Sequence, residues 1–231
     1  MPGLLITRPH AQAQETAARL SAAGWRCLFA PLLTIEALDW TLPPAPPQAV
    51  LLTSGNAVEA LAASGLARAL PVYAVGARTA ARVREQGFAH VYSAEGDAAA
   101  LVALVTQQCA PGLGALLHLS GDVVAGQLAA RLSAVGFWVE QRIVYRALPQ
   151  KTLPEEVHRA LVAGEVVGVL LYSPRSAAIL ARLLVQPSAR AALSLYCLSP
   201  AIAAAAGPGW RSVLSAPHPD ENSLLEILPT V

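Results

Sequence analysis

Short apolar runs alternate with longer amphipathic stretches along the whole chain, and this alternation restricts the fold more than any other feature. The runs are rich in Leu, Val and Ile, as in residues 4–7 and 166–172. Parallel strands that are buried on both faces have such continuous apolar sequences, and the stretches between them have helical spacing. The sequence therefore predicts an α/β fold of doubly wound parallel sheets.

Two proline-rich breaks divide this series of predicted strands. Residues 43–47 read Pro-Pro-Ala-Pro-Pro, which neither a helix nor a central strand accommodates, and a second break spans residues 149–154. Five strands are predicted between the breaks, and five more are shared by the two flanking segments. One large open sheet is the alternative that this pattern leaves open.

The economical interpretation is one domain inserted into another. We predict a discontinuous α/β domain, residues 1–36 and 150–231, and an inserted α/β domain, residues 46–146. Residues 37–45 and 147–149 would then form a two-segment hinge, since a double connection suits domain movement. A polyanionic small molecule is expected in the cleft between the two domains.

Some local signals within the inserted domain are specific enough to test. Asn56 and Glu59 fit a capping box at the start of a helix. Residues 123–134 have helical spacing, and residues 139–145 alternate as in an edge strand.

Composition excludes several classes of function. The chain is 55% hydrophobic and 13% charged with a net charge of +1, and it has no basic stripe interleaved with aromatic residues, which argues against nucleic acid. No apolar stretch approaches the length of a membrane span, and the first residues do not resemble a signal peptide, so we expect a cytoplasmic protein. Its three cysteines and five histidines are scattered, so no metal site is predicted.

The residues that follow each predicted strand are the candidate site, because ligands of open α/β sheets bind beyond the carboxyl ends of the strands. They carry hydroxyl groups, an amide, small side chains or arginines: Thr7, Arg8, Thr53, Ser54, Asn56, Gly76, Arg78, Thr79, Ser120, Gly121, Ser173, Arg175, Ser176 and Ser199. Helix capping explains any one of them. Several helix N-termini that face one ligand explain the set, and they indicate a ligand with several carboxylates or phosphates.

Missing motifs narrow the chemistry further. No GxGxxG motif follows a strand, and no GxxxxGK[ST] loop or GxSxG elbow is present. A dinucleotide, a nucleotide triphosphate and an α/β-hydrolase nucleophile are therefore not expected. The remaining chemistry needs positioning and mild acid–base help from the protein.

Taken in order, the strand-end motifs resemble those of the uroporphyrinogen-III synthase family. The resemblance covers essentially the whole chain. The segments that carry it are Leu5-Ile6-Thr7-Arg8-Pro9, Pro31-Leu32, Leu52-Thr53-Ser54-Gly55-Asn56-Ala57-Val58, Val72-Tyr73-Ala74-Val75-Gly76-Ala77-Arg78-Thr79-Ala80, Gly121, Val144-Tyr145, Tyr172-Ser173-Pro174-Arg175-Ser176-Ala177 and Ser199-Pro200.

The resemblance implies two flavodoxin-like domains, one inserted in the other, and an enzyme of haem, sirohaem and cobalamin biosynthesis. The family's substrate is hydroxymethylbilane, a linear tetrapyrrole with acetate and propionate arms on every ring. The family closes it to a macrocycle with inversion of ring D and loss of water, through an azafulvene and a spiro intermediate. No cofactor and no metal is implied.

The resemblance also implies two catalytic residues, Tyr145 and Thr79, which align with the tyrosine and the threonine commonly invoked in the family. Two departures are visible. Ser120-Gly121 stands where many relatives have Arg-Gly, so one expected cation is absent. Ala201 and Ile202 stand where the family often has a hydroxyl residue, which leaves Ser199 as the nearest donor.

The expected partner is the small-molecule substrate, with no nucleic acid and no membrane. We expect a monomer, and a transient contact with the preceding pathway enzyme is left open. The rival class is a non-catalytic two-lobed binding protein for an anionic small molecule.

Overall fold

The computed structural model of the protein describes residues 1–123 and 127–230. The chain forms two compact units. The first combines Met1–Thr34 with Leu148–Val231, and the second is the continuous segment Ile35–Ala147.

The described residues contain strands and helices in near-regular alternation. In chain order they are β1 (Gly3–Ile6), α1 (His10–Ala22), β2 (Arg26–Phe29), β3 (Leu33–Ala37), β4 (Ala49–Leu52), a 3₁₀ turn (Gly55–Ala57), α2 (Val58–Ala62), β5 (Val72–Ala74), α3 (Ala77–Glu85), β6 (Val91–Ser93), α4 (Ala98–Gln108), β7 (Leu116–Gly121), α5 (Leu128–Ala134), β8 (Val139–Pro149), α6 (Glu155–Val162), β9 (Val166–Leu171), α7 (Pro174–Leu183), α8 (Pro187–Ala191), β10 (Ser194–Cys197), α9 (Pro200–Ala206), β11 (Ser212–Ser215) and α10 (Glu221–Glu226).

The sheet of the first unit has the order β11-β10-β9-β1-β2, and all its neighbouring strands are parallel. Successive strand residues point to opposite faces. One face packs against α1 and α10 around Leu4, Ile6 and Leu170, and the other packs against α6, α7 and α9 around Leu5 and Val169. The predicted α/β class with parallel sheets is confirmed.

The sheet of the second unit has the order β3-β8-β7-β4-β5-β6. Its strands β4 to β8 are parallel, and numbered within the unit they run 3-2-1-4-5. The first unit runs 2-1-3-4-5, which is the order of flavodoxin. The prediction of two flavodoxin-like sheets is therefore wrong for the second one, because the chain adds both β5 and β6 on one side of β4 before it crosses back to form β7 on the other side.

Strand β3 is the element that the sequence analysis missed. It pairs with β8, and the backbone N–H of Leu38 donates to Val144 while that of Gln150 donates to Leu32, so the two segments run antiparallel. The prediction of β8 as an edge strand is wrong, because β3 covers its outer side.

The predicted hinge also differs locally from the structure. Residues 147–149 are the end of β8, and residue 37 closes β3, so these positions are hydrogen-bonded strand and not loop. Both boundaries between the two units, Thr34/Ile35 and Ala147/Leu148, fall within these paired strands.

Two local predictions in the second unit are corrected as well. Ser54, not Asn56, caps the first turn after β4, because its Oγ accepts from the backbone N–H of Asn56 at 3.2 Å and the chain turns helical immediately after the strand. The described part of the predicted helix over residues 123–134 is α5, which begins at Leu128, and residues 124–126 lie outside the described residues.

We expect the second unit to fold alone, because it has its own sheet and two apolar clusters on the two faces of that sheet. A fragment of residues 35–147 should show native-like helical circular dichroism and dispersed amide NMR signals. A fragment without cooperative thermal unfolding would contradict this.

Candidate functional site

The candidate site of the second unit lies at the carboxyl ends of β4 and β7. These strands are neighbours, yet the chain leaves β4 towards β5 and leaves β7 towards β8, so the strand order reverses between them. The 3₁₀ turn, α2 and α3 pack on one face, and α4 and α5 pack on the other. Such a reversal opens the crevice in which ligands of α/β sheets bind.

Thr53 follows β4 directly and meets a histidine of the adjacent strand. Its Oγ1 lies 3.4 Å from Nε2 of His118, within hydrogen-bonding distance. The His118 side chain is 1% exposed, and burial lowers the pKa of its imidazole to about 4. The imidazole is therefore neutral at physiological pH.

Ser120 and Gly121 end β7 beside this pair. Ser120 is buried, and its Oγ accepts a hydrogen bond of 2.8 Å from Nε2 of Gln141 on β8. A buried hydroxyl needs such a partner. Ser120 thus joins β7 to β8, and its hydroxyl hydrogen is left for another acceptor.

Tyr145 packs its ring against Gly121. A Cβ atom on Gly121 would lie 2.7 Å from Cε2 and Cζ of Tyr145 and 3.0 Å from its hydroxyl oxygen. The ring can occupy this place only because residue 121 has no side chain. A shift in register between β7 and β8 sets Tyr145 opposite Gly121. The tyrosine is half-buried, and its hydroxyl makes no hydrogen bond within residues 1–123 and 127–230.

The start of α3 lies against the turn that follows β4. Gly76 caps α3 without a side-chain hydrogen bond, and a Cβ there would meet nothing within 4 Å. The hydroxyl of Thr79 lies 3.7 Å from the point where a Cβ of Gly55 would stand. The unpaired N–H groups of this helix start therefore have open space for an anion.

Arginines of the second unit differ in their surroundings. Arg82 donates to the carbonyl oxygen of Gly55 at 3.0 Å and pairs with Glu59 at 3.2 Å, which fixes the turn that carries Ser54 and Asn56. Arg78, one residue before Thr79, is exposed and has an interaction of its own.

The first unit has a corresponding reversal between β1 and β9, but its polar groups are largely committed to the fold. Thr7 is buried and its Oγ1 donates to the carbonyl oxygen of Leu170 at 2.7 Å. Arg8 pairs with Glu221 at 2.8 Å and stacks 4.3 Å from the centroid of Tyr172. A substrate carboxylate would have to compete with Glu221 for this guanidinium.

The candidate site serines of the first unit differ in whether they cap a helix. Ser173 caps α7: its Oγ accepts from the backbone N–H of Ser176 at 3.1 Å, and the two hydroxyls lie 2.9 Å apart. Ser199 precedes α9 and makes no side-chain cap. Arg175 stands in the first turn of α7 and has an interaction of its own.

A groove of about 1070 Å³ lies in the first unit, between α6 and the segment from the end of α7 to α8. None of the predicted site residues lines it. Within residues 1–123 and 127–230, no cluster of histidine, cysteine or carboxylate side chains could hold a metal ion. In the same ranges no helix is both long enough and apolar enough to cross a membrane.

The second unit therefore places Thr53, Ser54, Ser120 and Gly121 at the carboxyl ends of β4 and β7, with Tyr145 against Gly121 and with Gly76 and Thr79 at the start of α3. The first unit brings together Thr7, Arg8 and Ser173 at the other reversal. Sequence reasoning missed His118, Gln141 and Arg82. A histidine inside the apolar run Leu116-Leu117-His118-Leu119 was the one signal that could have identified His118.

Comparison with known proteins places the chain among enzymes of one reaction. A family model described as uroporphyrinogen-III synthase HemD matches residues 14–226. A uroporphyrinogen-III synthetase from Helicobacter pylori superposes with a TM-score of 0.66 at 15% identity, covering 98% of each chain. A mutant uroporphyrinogen III synthase from Thermus thermophilus superposes with a TM-score of 0.51 at 18% identity, covering 98% of this chain and 96% of that one.

At these sequence identities the two solved structures show only that the fold is shared. The match to the family model is the finding that assigns the chain to a family. No curated protein matches the sequence significantly.

Replacing Gly121 by Ala tests the contact between this residue and Tyr145. The added methyl group would overlap the ring, so we expect a loss of about 1–3 kcal/mol in the free energy of unfolding. Chemical denaturation measures it. Gly76→Ala is the matched control for stability, because its methyl group meets only open space, and equal losses for both variants would contradict the close packing.

Proposed function

This chain belongs to the uroporphyrinogen-III synthase family, and from that premise we propose how its residues carry out the cyclising synthase step of tetrapyrrole biosynthesis. Hydroxymethylbilane is closed to the type III macrocycle with inversion of ring D and loss of water. The enzyme is a lyase, because a carbon–oxygen bond breaks and water leaves. We propose that the reversal between β4 and β7 contains the reacting centre.

The reaction sets two physical demands on such a site. The substrate carries eight carboxylate arms, so the site must offer hydrogen-bond donors and positive dipole ends in place of water. The reacting carbon of ring A must also meet ring D in a productive geometry. Positioning of this kind can supply on the order of 7–11 kcal/mol of a reaction barrier.

Tyr145 is the observation on which the proposal rests. Its ring lies over Gly121 at the end of β7, and its hydroxyl is not engaged by the described part of the fold. We propose that the phenol donates a hydrogen bond to the departing hydroxyl of ring A. The carbon–oxygen bond then breaks with its electron pair on oxygen, and the departing hydroxide leaves as water with the proton that the pyrrole nitrogen of ring A loses. The azafulvene that remains is the electrophile that ring D attacks.

The strand-end residues of the second unit suit the carboxylate arms. The hydroxyl groups of Thr53, Ser54 and Thr79 are donors at the edge of the crevice. The open space at Gly76 gives a carboxylate access to the N–H groups at the start of α3. We assign these residues to substrate binding, with Thr79 beside the reacting centre.

We propose a flavodoxin-like, doubly wound arrangement for the first unit, on the basis of its 2-1-3-4-5 strand order. The antiparallel pair of β3 and β8 contains both crossings between the units, and we propose that it acts as their hinge. We further propose that the enzyme acts as a monomer in the cytoplasm.

The reaction itself is the first test. Purified protein treated with a chelator and given no cofactor should convert hydroxymethylbilane to the type III macrocycle, which chromatography separates from type I. Uncatalysed closure gives the uninverted type I isomer. Binding of the tetrapyrrole with formation of type I alone would instead support the non-catalytic binding protein.

Tyr145→Phe tests the proposed donor. We expect the turnover number to fall by roughly 10²-fold, because the hydrogen bond to the leaving group is lost. The unfolding midpoint should stay unchanged, since the hydroxyl has no partner among the described residues. Asp122→Asn, at an exposed position next to Gly121, is the matched control and should retain activity. Full activity of Tyr145→Phe would remove the tyrosine from the mechanism.

A further inference from the structure

His118 is a polar side chain that is buried in the core of the second unit. It lies on β7, where every residue is buried, in register with Leu51 of β4 and between Leu117 and Leu119. At 1% exposure it is removed from water as completely as its apolar neighbours. Burying an imidazole in this way is unfavourable unless both ring nitrogens find partners.

Only one ring nitrogen has a partner in the described part of the chain. Nε2 lies 3.4 Å from Oγ1 of Thr53, whereas Nδ1 is buried without a hydrogen bond. Because burial keeps the ring neutral, it carries a single N–H. The position of that hydrogen determines what Thr53 can do.

The two tautomers differ in cost and in consequence. With the hydrogen on Nδ1, that N–H group would be a buried donor without a partner, and the hydroxyl of Thr53 would donate its hydrogen bond to Nε2. With the hydrogen on Nε2, only an acceptor stays unpaired, and Nε2 donates to Oγ1 of Thr53. Unpaired buried donors are rarer than unpaired acceptors, which favours the second form.

We propose that His118 is a positioning residue, whose Nε2–H donates to Oγ1 of Thr53 so that the threonine hydroxyl donates outward to a carboxylate arm of the tetrapyrrole. This inference rests on the proposed function, and it names the group that orients one donor of that site. Thr53 follows β4 at the strand reversal, where ligands of α/β sheets bind. Its hydroxyl hydrogen, which His118 does not use, can therefore be donated to a ligand.

The inference predicts opposite effects on stability and on binding. His118→Leu removes the unpaired buried nitrogen and keeps the volume similar, so the unfolding midpoint should stay equal or rise. Substrate binding should weaken, because Thr53 loses its orienting partner. An imidazole that only filled the core would give no such separation.

A double-mutant cycle with hydroxymethylbilane as substrate measures the coupling. We expect His118→Leu and Thr53→Val each to raise KM about three- to tenfold, with kcat changed by less than about twofold. The double variant should be no worse than Thr53→Val, since the histidine acts through the threonine. Thr106→Val, an exposed threonine of α4, is the matched control and should leave KM unchanged.

A substrate-free measurement decides the tautomer. Long-range ¹H–¹⁵N NMR correlations of ¹⁵N-histidine-labelled protein should show His118 as the neutral Nε2–H form. The Nδ1–H form, multiplicative effects of the two substitutions on KM, or an unchanged KM for His118→Leu would each overturn the inference. If the wild-type protein forms no type III macrocycle, both the proposed function and this inference fail. If the wild-type protein does form the type III macrocycle, any one of the three contradicting results above overturns the inference about His118 and leaves the proposed function standing.

Discussion

The structure depends on a constraint of parallel sheets: each crossover between neighbouring strands is right-handed, so a reversal of strand order sends consecutive helices to opposite faces. The gap that this leaves at the carboxyl edge cannot be closed by the fold itself. In the second unit the reversal lies between β4 and β7, and in the first between β1 and β9. The polar residues in each case lie at the ends of these strands or shortly after them.

The two reversals use their polar groups differently. Around β1 and β9, Thr7, Arg8 and Ser173 are bonded to other parts of the fold. Around β4 and β7, the hydroxyls of Thr53 and Tyr145 and the start of α3 still have capacity for a ligand. A site that stabilises charge in a transition state needs donors that are held in place but not yet used. This difference is the reason why we propose that the reacting centre lies in the second unit.

The sequence was informative where periodicity decides the structure. Buried strands such as β1 and β4 have no polar residues, and their parallel class followed from that pattern. Strand β3 was missed because its exposed residues resemble a linker, and the order of the second sheet was wrong because no local pattern specifies which strands become neighbours. Tyr145 was identified through the family resemblance, whereas its contact with Gly121 depends on a shift in register that only the fold shows. The contact between His118 and Thr53 depends on the pairing of β4 with β7, which no local sequence pattern specifies.

NMR mapping tests most directly whether the tetrapyrrole binds at the carboxyl ends of β4 and β7, as we propose. The full chain, labelled with ¹⁵N and ¹³C, would be titrated with uroporphyrin III, the stable oxidised form of the product. We expect the largest changes of chemical shift in the second unit at Thr53, Gly76, Thr79, Gly121 and Tyr145. Changes confined to the groove lined by α6 and α8, with these five residues unaffected, would contradict it.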